Sequence, residues 1–96
     1  MIEQRFGESP NLSLGVEEEV MILDAVTLAP VAAVDVLVAG AAELELPGTL
    51  KTELHASVVE LNTGICESVE DAVAALRELR AAADRIARAN GLRVGR

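Results

Sequence analysis

Between Leu12 and Leu23 the chain alternates. Leu14, Val16, Val20 and Ile22 fall on one parity, Ser13, Gly15, Glu17, Glu19 and Met21 on the other, and Glu18 intrudes on the apolar parity. A period of two predicts a half-buried strand over about Leu12 to Leu23. Residues 1 to 11, polar and carrying Gly7 and Pro10, read as a loose lead-in, and Asp24 to Pro30 reads as a turn. From Val31 to Leu46, the spacing of Val34, Leu37, Val38 and Ala41 predicts a short helix that Gly40 weakens, with an extended start at Val31 as the alternative. Pro47-Gly48 breaks whatever precedes it.

A second strand is expected over about Leu50 to Asn62, where Leu50, Leu54, Ala56 and Val58 alternate against Lys51, Glu53, His55 and Ser57. Thr63-Gly64 should end it. Ser68 then opens the clearest helix, with Asp71 placed as in a capping box, and Asn90-Gly91 closes it. Its expected apolar stripe is Val69, Ala72, Val73, Leu76, Leu79, Ala83, Ile86 and Ala87, with Arg77, Glu78, Arg80, Asp84, Arg85 and Arg88 on the wet side. Leu92-Arg93-Val94 reads as the start of a third strand. The fold class is α+β, a partial antiparallel sheet with flanking helices.

Composition narrows the function. The 96 residues form at most one small domain, and with a single aromatic, Phe6, the core must come from Val, Leu, Ile and Ala. Net charge is -8, and six of the eight basic residues lie in the last twenty positions. A binder of phosphate backbones needs the opposite balance, so nucleic acid is not an expected partner, whereas cations are. No secretory or membrane-spanning pattern is present, and the expectation is a soluble, cytoplasmic chain. Cys66 is alone, so an intrachain disulfide and a cysteine-based zinc site are excluded.

Three consecutive carboxylates, Glu17, Glu18 and Glu19, sit inside a strand that otherwise reads as buried, where charge is costly without a partner. Glu17 and Glu19 project together with Cα atoms roughly 6.5 to 7 Å apart, close enough to share one divalent ion. Glu53 and Glu60 complete a proposal of four carboxylates from two strands, hard oxygen donors for Mg²⁺ or Mn²⁺ and, through them, a nucleotide triphosphate. Seven residues separate Glu53 from Glu60. In one regular strand an odd separation puts them on opposite faces, so a bulge or bend near Ser57 to Val59 is expected. The competing reading is a solvated charge run protecting an edge strand. For His55 and Cys66 the plain readings are a partly exposed strand residue and an inert thiol; Asn62, Thr63 and Gly64 line a pocket or simply make a turn.

Ser13-Leu14-Gly15-Val16-Glu17-Glu18-Glu19, Lys51-Thr52-Glu53-Leu54 and Val59-Glu60-Leu61-Asn62-Thr63-Gly64-Ile65-Cys66, followed by the amphipathic helix, resemble the N-terminal part of the bacterial carboxylate-amine ligases of the type 2 glutamate-cysteine ligase family. The resemblance implies a fragment of a glutamine-synthetase-like catalytic domain, its curved antiparallel sheet holding Mg²⁺ and ATP on one face. It implies Glu17, Glu19, Glu53 and Glu60 as metal ligands, with Asn62 and Thr63 near the amino-acid substrate, and it leaves Glu18 out. The implied reaction joins a carboxylate such as that of glutamate to cysteine or another amine through an acyl phosphate. Members of the family are several-fold longer, so the chain is expected to be a truncated segment with little turnover alone and strand edges that favour homo-oligomers. The alternative is a small acidic cation-binding or protein-interaction module without catalysis.

Overall fold

The long alternating run forms the strand around which everything else is arranged. In the computed structural model, which describes residues 2–5, 13–53 and 55–95, this strand is β2, Ser13–Asp24. The others are β1 Ile2–Arg5, β3 Thr49–Thr52, β4 Val58–Cys66 and β5 Leu92–Gly95, with helices α1 Val34–Ala42 and α2 Val69–Ala89. All the strands join one antiparallel sheet in the order β1-β2-β4-β3. β5 pairs with β2 as well, opposite residues 21 to 24, while β1 pairs with residues 13 to 16.

Both helices cover the same face of the sheet. Val20 and Ile22 of β2, Val59 and Leu61 of β4 and Leu50 of β3 meet Leu37 of α1 and Leu79, Ala83 and Ala87 of α2 in one aliphatic core. Burying each large aliphatic side chain contributes about 1.5 to 3 kcal/mol, which is how a chain with almost no aromatics supports a fold. Ser68 caps α2, its hydroxyl accepting the Asp71 N–H at 3.1 Å.

Several expectations change. The stretch read as one strand over 50–62 is a hairpin: β3 reverses through residues 53–57 and returns as β4. Leu50 faces the helices from an even position but Val59 and Leu61 from odd ones, so parity changes across the reversal, and the adjacent apolar pair Val58-Val59 marks the change. Thr63-Gly64 does not end β4, which continues to Cys66. The lead-in contains β1, although Gly7 and Pro10 lie outside the described residues, as do Leu12 and Leu54. Of the two starts open for α1, the extended one at Val31 holds: Pro30 and Val31 run along β2, the Val31 N–H donating to the Ile22 carbonyl, and the helix covers only Val34–Ala42. In α2, Ala75 and Ala82 replace Val69 and Val73 in the buried seam. Val69 and Val73 belong to an exposed row, four residues apart, that continues to Arg77, whereas alanines let the helix axis approach the sheet.

Candidate functional site

The face of the sheet that carries no helix carries the acids. Glu17 and Glu19 are exposed on β2, while their neighbours Leu14, Val20 and Ile22 are buried against the helices. Across the β2–β4 ladder Glu19 stands opposite Glu60 and Glu17 opposite Asn62. The hairpin resolves the parity problem of Glu53. Lys51 pairs with Glu60, and Glu53, two residues beyond Lys51, returns to that same face. A reversal of the chain, rather than a bulge within one strand, gathers the four carboxylates.

They feel one another. Partial burial and the neighbouring charges of Glu19, Glu60 and Glu17 push the Glu53 carboxyl above its ordinary range. Like charges close together disfavour ionisation, and a cation bound among them would relieve that repulsion. Among the described residues no group of three acidic, histidine or cysteine side chains stands close enough together to hold a metal ion by itself. Magnesium seldom needs three: it is held by one or two carboxylates and completes its shell with water and substrate phosphates. The donor set, all oxygen and spread over one open face, therefore fits Mg²⁺ or Mn²⁺.

Beside Glu17 the β2–β4 ladder slips. Gly15 pairs with Ile65 but Glu17 with Asn62, so three steps on β4 answer two on β2. Gly64 takes φ +71°, a left-handed conformation that glycine adopts without cost, and makes this a bulge. Thr63 is buried on the helix side, 5% exposed, its hydroxyl accepting from the Val16 N–H at 3.0 Å and donating to the Gly64 carbonyl at 2.9 Å. Asn62 lies on the acidic side, donating to Glu17 Oε1 at 3.3 Å and accepting from the Gly64 N–H at 2.8 Å. Gly15, Glu17, Asn62, Gly64 and Ile65 line a shallow hollow of about 170 Å³. The two residues expected near a substrate are thus on opposite faces.

Glu18 faces the other way, and Arg80 of α2 meets it with both Nε, at 2.8 Å, and Nη2. This pair supports the guanidinium's charge and raises its pKa. Arg80 is therefore not part of the wet side of the helix, contrary to the sequence pattern, which shows spacing within a helix but not what the sheet offers it. His55 is exposed in the β3–β4 turn, and Cys66 is a half-buried free thiol. Lys51 was missed as a site residue. It is the basic residue that the register sets directly opposite Glu60, and its position beside Glu53 in the same short motif was the available signal. No described helix is long and apolar enough to cross a membrane.

Comparison with known proteins gives a consistent result. The sequence profile described as glutamate-cysteine ligase family 2 matches residues 13–95. A protein of Solibacter usitatus provisionally named glutamate–cysteine ligase 2 is 36% identical over 85 residues, 88% of this chain and 22% of its own length. One of Rubrobacter xylanophilus provisionally named glutamate–cysteine ligase 2-3 is 43% identical over 94 residues, 97% of this chain and 26% of its own. One of Sorangium cellulosum, named like the first, is 40% identical over 83 residues, 85% and 22% respectively. The chain spans about a quarter or less of the length of these relatives.

Proposed function

The chain belongs to glutamate-cysteine ligase family 2, and from that premise we propose that it is a segment of an ATP-dependent carboxylate-amine ligase of glutamine-synthetase-like fold, contributing the acidic platform for Mg²⁺ or Mn²⁺. The observation that carries this reading is the gathering of Glu17, Glu19, Glu53 and Glu60, distant in sequence, on one uncovered face.

The chemistry explains the need for such a platform. A carboxylate of glutamate or a similar acid attacks the γ-phosphorus of ATP, the bond between that phosphorus and the bridging oxygen breaks, and ADP leaves with the electron pair. An amine, from cysteine or another acceptor, then attacks the acyl carbon, loses a proton and expels phosphate, leaving an amide. Both partners of the first step are anions. A divalent cation bound at the platform supplies the neutralising charge that lets them meet. Glu17, Glu19 and Glu60 would hold it from strands whose opposite face is packed, so their backbone positions are fixed before substrate arrives. Glu53, beside the hairpin's reversal, would add a further carboxylate to the set. Lys51, on the same face, is placed to meet a phosphate oxygen.

On this reading the protein acts in the cytoplasm, away from nucleic acid and membrane, and the 96-residue chain binds the cation with little turnover alone. The test is a product screen of the full-length protein with ATP, Mg²⁺, glutamate and a panel of amines, scored by phosphate release and mass. Amine-dependent phosphate release with an amide product supports the reading, and loss of both in Glu19→Gln places the cation here. A folded full-length protein that forms no amide with any amine contradicts it.

A further inference from the structure

We propose that Asn62 is a positioning residue for Glu17, held by the Gly64 bulge, rather than a contact for the substrate. The inference rests on the metal reading of the acidic face and assigns a role within it. Asn62 spends both ends of its amide locally: its oxygen accepts the Gly64 N–H and its nitrogen donates to Glu17 Oε1. The first bond is an Asx turn closed onto the backbone N–H two residues on, just before the chain bends at the left-handed Gly64. That bond also fixes which end of the amide is which. With the oxygen committed to an N–H, the NH₂ group must point at Glu17. The Thr63 hydroxyl stabilises the same bulge from the opposite face by taking the Val16 N–H, the backbone donor that lies between Gly15 and Glu17 where the ladder slips.

The consequence is directional. A glutamate has three rotatable bonds, and an exposed one on a sheet face samples many orientations; a donor fixed by backbone on the facing strand narrows them. Groups that orient a metal ligand in this way characteristically change metal affinity by about 10-fold to 100-fold when removed. Ligands with their own reach to a substrate would instead leave the cation's affinity unchanged.

Mn²⁺ affinity of the 96-residue chain, read by the electron paramagnetic resonance of the free ion, separates the possibilities in a double-mutant cycle of Asn62→Ala and Glu17→Gln. The expected result is about 10-fold weaker binding for Asn62→Ala and no further loss when it is added to Glu17→Gln. If Glu17→Gln alone leaves affinity unchanged, the metal reading fails and the inference with it. If Glu17→Gln weakens binding but Asn62→Ala does not, or Asn62→Ala weakens it equally in both backgrounds, only the inference fails. A variant that does not need Asn62 altered guards against misfolding: the Asn62 side-chain amide resonances, measured without metal, should move in Glu17→Gln, and unchanged resonances overturn the proposal.

Discussion

Glu18 and its two neighbours are chemically identical and adjacent, yet the pleat of β2 gives them different physics. On the helix side Glu18 meets an arginine in a half-buried, two-point ion pair. On the open side Glu17 and Glu19 join other carboxylates, and the result is a Glu53 carboxyl raised above its ordinary range. One face uses a charge to tie a helix to a sheet. The other concentrates charge of one sign, which weakens the fold and suits a cation. Such local cost at a surface that the fold does not require is a sign of function rather than of stability.

The comparison can be broken most severely from the packed side. Leu61, fully buried between Val20, Val59 and α2, should cost about 2 to 5 kcal/mol when truncated in Leu61→Ala, read as a lower urea midpoint. Gly64→Ala acts at the boundary between the faces. Its left-handed φ should cost about 1 to 2 kcal/mol, with amide shift changes concentrated in Val16, Asn62 and Thr63. Arg80→Ala takes the guanidinium away from Glu18. With both side chains partly solvated, the loss should be about 1 kcal/mol in the same urea titration, between the values for exposed and for fully buried pairs. The smallest effect belongs to the open face and has the opposite sign. Glu53 binds its proton more tightly in the folded state, so stability should fall as pH rises from about 4.5 through its raised value. Glu53→Gln should flatten that dependence and raise the thermal midpoint at pH 7, whereas an unchanged profile means that the acids do not interact.

Much of this was legible in the sequence because alternation states which residues share a face. Glu17 and Glu19 against Glu18 follow directly from the pleat, and Ser68 and Asn90 mark both ends of α2. The hairpin was not legible. Alternation runs from Leu50 to Val58 and slips at Val58-Val59, which reads as a bulge or bend within one strand, and the reversal before it lacks a strong turn signal, resting on backbone bonds from Ile22 to Ser57 and from Val34 to Ala56 as well as a local one from Val58 to His55. The same long-range pairing explains the missed bulge, since Asn62-Thr63-Gly64 reads locally as a turn until Val16 and Glu17 supply its partners. Arg80 is the third case. Its helical position marks it as solvated, and only the intruding Glu18 on β2 gives it somewhere to go.

The most direct test of the division between the faces is paramagnetic broadening of backbone amide resonances on adding Mn²⁺ at low stoichiometry. The expected map is centred on Glu17, Glu19, Glu53 and Glu60 and spares α2 around Arg80. Broadening centred on other acids, such as Glu43, Glu45 and Glu70, or spread evenly over all of them, would contradict the account.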